Sequence, residues 1–186
     1  MSDDAYWEEL WNARLAALEG VFGAADESVL HSAVPFFMGH EMGGNPDVVS
    51  FSGFTDGKLY VTAELIGADH PPNGAGSYEL AIAHPGAEDW GIFIICQLAH
   101  YSAEHVIEHG HSMDITSQTP DGSTIEALLF RRIAQFEVQG IESNVLCCIG
   151  ITGAELAYKQ AHGADALIDQ LGQAFFLTDL FRPSRL

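Results

Sequence analysis

Histidines are the side chains of this sequence best suited to metal chemistry. Nine of them occur in 186 residues, and His109 and His111 lie close in sequence to Asp114. Neutral imidazole and carboxylate groups are the usual protein ligands of zinc and non-haem iron. The segment therefore makes a metal-dependent enzyme one candidate function.

A second interpretation of these histidines needs no metal. His105 and His109 have i, i+4 spacing near the end of a predicted helix, where positive charge interacts favourably with the helix dipole. The H-E-x-x-H spacing typical of zinc proteases is absent. We therefore predict no metal ligand, and keep a site at His109, His111 and Asp114 as the alternative.

No other motif predicts catalysis. The nucleophile pattern G-x-S-x-G is absent, and the glycines at 74 and 76 precede no Walker lysine. The three cysteines are an odd set, and the adjacent Cys147 and Cys148 would point to opposite faces of a strand. We predict that these two and Cys96 are reduced core thiols, and we predict no catalytic residue and no cofactor.

The charge balance limits the class of partner. Acidic residues number 26 against 7 lysines and arginines, which gives a formal net charge of −19. Binding to nucleic acid or to an anionic membrane needs clustered basic residues, so we predict neither. The acidic charge either serves solubility or salt tolerance, or forms a binding face. The few basic clusters, Arg131-Arg132 and Arg182 with Arg185, are expected to form solvated ion pairs.

The sequence offers no targeting or membrane-spanning segment. Its first ten residues lack the basic start of a secretory signal. No later stretch approaches the roughly 18 unbroken apolar residues of a membrane span. We expect a soluble cytoplasmic protein.

Apolar spacing and turn residues predict helices and strands in alternation. Apolar residues at helical spacing, among them Trp7, Trp11 and Trp90, are expected in the core. Loops rich in glycine or proline are predicted at 39–46 and 70–76. Helices are predicted at 4–23, 89–109, 153–162 and 164–171, and strands at 28–37, 48–54, 59–65, 78–83, 128–138 and 145–151.

This order of elements predicts an α+β fold. Turn chemistry joins the strands at 48–54 and 59–65 through Asp56-Gly57, and those at 128–138 and 145–151 through Gln139-Gly140. Thr152 and Glu155 have the spacing of a helix capping box. We predict one domain over residues 1–186, with a mixed or antiparallel sheet and helices packed on it.

Between residues 47 and 182 the sequence resembles the Suppressor of fused domain family in its short bacterial form. The blocks that carry the resemblance are D-V-V-S-F-S-G-F, L-Y-V-T-A-E-L, G-S-Y-E-L-A-I, H-P-G-A-E-D-W-G-I-F-I-I-C-Q-L-A-H-Y, L-C-C-I-G-I-T-G-A-E-L and L-T-D-L-F-R-P-S. The resemblance implies a fold like the family's N-terminal domain and a binding role without catalysis. For bacterial members it implies an immunity protein that neutralises a toxin domain.

The resemblance also implies candidate binding residues. Where many family members have His-Trp-His-Tyr, this chain reads Gly57-Lys58-Leu59-Tyr60, so Tyr60 alone is kept. Glu64 and Asp69 are the candidates for an acidic residue that follows in the family. We therefore predict a protein-binding face at Tyr60, Glu64 and Asp69, near the 39–46 and 70–76 loops. The acidic charge would steer it toward a basic toxin domain.

Overall fold

A computed structural model of the protein describes residues 3–67, 76–86 and 89–186. No helix within these ranges is both long and apolar enough to cross a membrane. Short 3-10 turns occur at Phe36–Met38, His40–Met42 and Thr116–Gln118. The helices are α1 (Asp3–Phe22), α2 (Trp90–Glu104), α3 (Gly153–His162) and α4 (Ala164–Leu171), and the strands are β1 (Val48–Phe51), β2 (Lys58–Thr62), β3 (Ser77–His84), β4 (Ser112–Asp114), β5 (Ile125–Val138) and β6 (Ile141–Thr152).

The strands form one sheet in the order β1-β2-β3-β6-β5-β4. The β3–β6 pair is parallel, and every other neighbouring pair is antiparallel. A parallel pair needs a long crossover, and the chain between β3 and β6 supplies it with α2, β4 and β5. The predicted α+β fold with a mixed sheet is confirmed.

Helices cover both faces of this sheet. Leu146 and Cys148 of β6 pack in the same cluster as residues of α2, while Cys147 packs on the opposite face with residues of α4. Tyr60 packs on the same face of the sheet as α2, and the end of α1 packs on the opposite face. All three cysteines are buried and free, so the predicted reduced core thiols are confirmed.

The segment before β1 corrects a prediction. Residues 28–37 form no strand, and Leu30 alone pairs there, through a single bridge to Val48. Pro35 lacks an amide N–H, and the chain turns at Phe36–Met38 before Gly39, whose φ of 80° favours glycine. The predicted strand is wrong because these apolar residues belong to a segment that turns beside β1, the edge strand of the sheet.

Helix α2 ends earlier than its apolar spacing predicts. Its last residue is Glu104, and His105 is extended with φ −128° and ψ 144°. The chain then leads into β4, which pairs with β5. His105 and His109 therefore do not share a helix, and their predicted interaction with a helix dipole is wrong.

Local signals in the second half of the chain are confirmed. Gln139 and Gly140, with φ of 49° and 82°, form the two-residue turn of the β5–β6 hairpin. The Thr152 side chain accepts a bond from the Glu155 amide, and the Glu155 carboxylate accepts one from the Thr152 amide. This capping box starts α3.

A buried ion pair holds the C-terminal segment against the rest of the protein, whereas the sequence predicts a solvated pair. Arg182 Nη2 lies 2.6 Å from Glu155 Oε2, and both side chains are buried. The same nitrogen donates to the Gly150 carbonyl at 2.8 Å. The expectation of a solvated pair is wrong for Arg182, because its guanidinium satisfies a carboxylate and a carbonyl inside the protein.

Candidate functional site

The three residues of the predicted metal site do not converge. His109 Nε2 lies 3.5 Å from Asp165, and His111 Nε2 lies 3.9 Å from Glu108. Asp114 accepts a hydrogen bond from the amide of the 3-10 turn that follows it. Within the described ranges, no three histidine, cysteine, aspartate or glutamate side chains are grouped to hold a metal ion. The structure therefore does not assemble the alternative site.

The predicted binding residues have different positions in the fold. Tyr60 is 5% exposed and belongs to the core on the α2 face of the sheet. Glu64 lies just beyond β2 and is half-buried at the surface. Asp69, and the predicted 70–76 loop except Gly76, lie outside the described residues. Of the two that the structure describes, Glu64 is the one with a partly exposed side chain.

Glu64 lies in an apolar groove between α1 and the segment before β1. The groove has a volume of about 350 Å³. Trp7 and Trp11 line it from α1, and Phe36 and Phe37 line it from the first 3-10 turn. Phe37 is 73% exposed, far more than an aromatic side chain of a closed core. These exposed aromatic side chains make the groove a candidate interaction site.

Helical geometry explains why the tryptophans reach this groove. The buried side of α1 consists of Leu10, Arg14, Leu18 and Phe22, spaced four residues apart. Trp7 and Trp11 form a second row beside it, and Trp7 is 43% exposed. The prediction that Trp7 is a core residue is wrong, because the apolar stripe of α1 is wider than the face that meets the sheet. Trp11 is half-buried.

Two charged side chains fix the turn that carries Glu64. Arg14 is buried, and it donates from Nε to the Ile66 carbonyl at 2.5 Å and from Nη1 to the Ala63 carbonyl at 3.3 Å. Glu79 of β3 is fully buried, and its Oε1 accepts bonds from the amides of Leu65 and Ile66, both at 3.0 Å. The turn after β2 is thus bonded to α1 and to β3.

Burial changes the protonation equilibria of both glutamates. Burial raises the pKa of Glu79 to about 7, although Arg14 and the hydrogen bonds to the carboxylate lower it. Burial also raises the pKa of Glu64, against the hydrogen bond from the Asp47 amide. That bond, to Glu64 Oε2, is 2.9 Å long. A half-buried carboxylate of this kind is stabilised by a nearby cation.

A histidine–aspartate pair separates this groove from a second one. His31 Nδ1 lies 2.5 Å from Asp47 Oδ2, and the His31 ring lies 6.3 Å from the Trp11 ring. His31 also lines the second groove, of about 400 Å³, together with Phe93 of α2. Phe93 is 60% exposed. The two grooves therefore adjoin and present exposed aromatic rings along one side of the molecule.

The family of the chain follows from its sequence match. Residues 40–185 match the family of the Suppressor of fused protein (SUFU). The chain belongs to the Suppressor of fused family. The match begins after Trp7, Trp11, Phe36 and Phe37, so the aromatic walls of the groove precede the matched residues, whereas Glu64 lies among them.

Solved structures of the Suppressor of fused family have the same fold. A homologue from Neisseria gonorrhoeae FA 1090 gives a TM-score of 0.67 at 17% identity, over 96% of this chain and 98% of that one. The Sufu-Fu complex gives 0.69 at 11% identity, over 98% of this chain and 91% of that one. No curated protein sequence matches this chain significantly.

The Drosophila Suppressor of fused protein is a longer relative. It gives a TM-score of 0.62 at 11% identity over 78% of this chain. The match occupies 45% of the Drosophila chain, so this chain corresponds to less than half of that protein. At such identities the similarity establishes the fold.

Proposed function

We propose that this Suppressor of fused domain is a non-enzymatic protein-binding module whose binding face is the aromatic groove beside Glu64. The observation that carries the proposal is the set of exposed aromatic side chains, Trp7 and Phe37 above all, around a groove of about 350 Å³. Aromatic side chains are enriched among residues that contribute most to protein interfaces. The Sufu-Fu complex, which has the same fold, supports the proposal because that protein is solved with a partner.

The partner we propose is a basic toxin domain, and the role is that of an immunity protein in a bacterial cytoplasm. A net charge of −19 attracts a basic partner over long range and speeds its association. Glu64 would contact the partner directly. Tyr60 would act indirectly, by supporting β2 from the core, and Asp69 remains a predicted contact outside the described residues.

The test first identifies the partner by affinity capture and then measures how a substitution in the groove changes binding to that partner. The full-length protein captures its partner from a lysate of its own source, and mass spectrometry identifies what is retained in stoichiometric amount. The purified pair is then compared for the wild type, Phe37→Ser and Phe181→Ser. Phe181 is a matched control, because it is 60% exposed but lies in the C-terminal segment.

The two variants separate the outcomes. We expect Phe37→Ser to weaken binding about tenfold or more, the loss of one aromatic contact of about 1.4 kcal/mol. Phe181→Ser should bind like the wild type. Equal binding by Phe37→Ser would refute the groove as the binding face, and an acidic partner whose association does not slow with added salt would refute the proposed basic toxin domain.

A further inference from the structure

Among the described residues, Glu64 lies in the aromatic groove without an ion-pair partner in contact, although the charges of Arg14 and His31 lower its pKa. The Asp47 amide donates one hydrogen bond to Oε2. Arg14 is the cation that lines the groove, and its Nε and Nη1 are bonded to the carbonyls of Ile66 and Ala63. Within residues 3–67, 76–86 and 89–186, Glu64 forms no ion pair.

The chemistry around Glu64 selects for a cation attached to an apolar group. The faces of Trp7, Trp11 and Phe37 accept apolar side chains, and aromatic faces also attract ammonium and guanidinium groups. An anion would meet both Glu64 and the neighbouring Asp47, whose amide donates a hydrogen bond to the Glu64 carboxylate. A neutral ligand would leave the half-buried Glu64 carboxylate without a cation in direct contact.

We propose that the groove recognises a partner segment in which an aromatic or aliphatic side chain adjoins a lysine or arginine, and that this cation pairs with Glu64. The inference rests on the proposed function, since it specifies what the binding face accepts. The apolar side chain fills the space between α1 and the first 3-10 turn, and the cation is placed at the end of β2. Glu64 is then the specificity-determining residue of the groove.

Three indole probes of different charge test the inference on the full-length protein. Tryptamine carries an ammonium group, tryptophol is neutral and indole-3-propionate is anionic. Binding is measured by titration in NMR, following the backbone amides of residues 36–38 and 63–66 and the indole N–H groups of Trp7 and Trp11. We expect tryptamine to bind about fivefold more tightly than tryptophol, and indole-3-propionate to bind more weakly than either.

Two variants with the same change in net charge provide the decisive comparison. Glu64→Gln keeps an oxygen that accepts the Asp47 amide bond, and should bind tryptamine and tryptophol equally. Asp121→Asn removes an exposed carboxylate in the loop before β5 and should keep the fivefold preference. Thermal unfolding of both variants checks that each is folded.

The outcomes separate this inference from the proposed function. Equal binding of tryptamine and tryptophol by the wild type, an equal loss of preference in both variants, or no shift of the groove signals with any probe would overturn the cation pairing. The proposed function is decided independently, by the effect of Phe37→Ser on the captured protein partner.

Discussion

The buried carboxylate of Glu79 should make the stability of this protein depend on pH around neutrality. Glu79 is wholly inside the protein, where Oε1 accepts two amide bonds and Oε2 accepts the Thr62 hydroxyl at 2.6 Å. Glu79→Gln keeps the size of the side chain and the oxygen facing the amides of Leu65 and Ile66. It removes the titrating proton and the negative charge that Arg14 attracts.

The sign and size of the effect follow from the shifted equilibrium. The pKa of Glu79 is about 7 in the folded chain, against a usual value of 4.5. The folded protein therefore holds this proton more tightly than the unfolded chain does. The resulting stabilisation is complete below pH 4.5 and is lost as the pH rises through 7. It amounts to about 3 kcal/mol in all, since one pKa unit corresponds to about 1.4 kcal/mol.

Urea unfolding from pH 5 to 8.5 measures this contribution as a difference between two proteins. The free energy of unfolding of the wild type minus that of Glu79→Gln should fall by most of the 3 kcal/mol over this range (about 1 kcal/mol per pH unit near its steepest). Taking the difference cancels the carboxylates that both proteins share. Glu142→Gln, at an exposed position, is the matched control and should give a flat difference. A difference for Glu79→Gln that stays constant from pH 5 to 8.5 would refute the reasoning.

Three further substitutions, each followed by urea unfolding, test the contacts that hold the fold together. Gly91→Ala would place a Cβ in steric conflict with His84 Nε2 and the Ile82 side chain, so we expect a loss of about 2 kcal/mol, whereas Gly86→Ala, in open space, should be within about 0.5 kcal/mol of the wild type. Arg182→Met should cost about 3–5 kcal/mol because it leaves the Glu155 carboxylate buried without its partner, and adding Glu155→Gln should recover part of the loss. Thr152→Ala should cost about 1 kcal/mol through loss of the α3 cap, and an unchanged stability would mean that the capping box is not needed.

Features set by neighbouring residues were predictable from the sequence. The turn at Gln139-Gly140 needs two positive φ angles, and the cap at Thr152 needs a hydroxyl and a carboxylate three residues apart. Both requirements are visible in a short stretch of sequence. The parallel contact of β3 with β6 has no such signal, because it joins strands separated by α2, β4 and β5.

The end of α2 shows why apolar spacing alone misplaced an element. Val106 continues the apolar spacing of the helix, although it is 51% exposed, and Ile107 beside it is buried in the same core cluster as α2. However, the backbone is already extended at His105, and Ile107 reaches the core from the segment that leads into β4. A buried side chain reports that a residue faces the core, whichever element carries it. For this reason His105 and His109, which were predicted to lie on one helix, both follow the end of α2.

The sequence indicated one residue of the groove as a candidate binding residue and did not indicate the exposed aromatic residues around it. Glu64 was one of two candidates, with Asp69, for the acidic residue that the family resemblance implies shortly after Tyr60. Trp7 was predicted as a core residue because it has helical spacing, and Phe37 was predicted as the last residue of a strand over 28–37. Both are exposed because the segment before β1 turns instead of extending, and so leaves space between itself and α1.

The way this chain uses its few cations makes its surface more acidic than its composition alone implies. Of its 7 lysines and arginines, Arg14 and Arg182 are buried and bonded to carbonyls or to Glu155. Lys58 pairs with Asp26 at 3.1 Å, and Arg131 donates to the carbonyl of Gln173 at 3.0 Å. These cations hold the fold together and leave few free charges to balance the surface carboxylates. A cationic partner would therefore meet little competition from the protein's own basic groups, and Glu64 would gain in binding a contacting ion-pair partner that it lacks among the described residues.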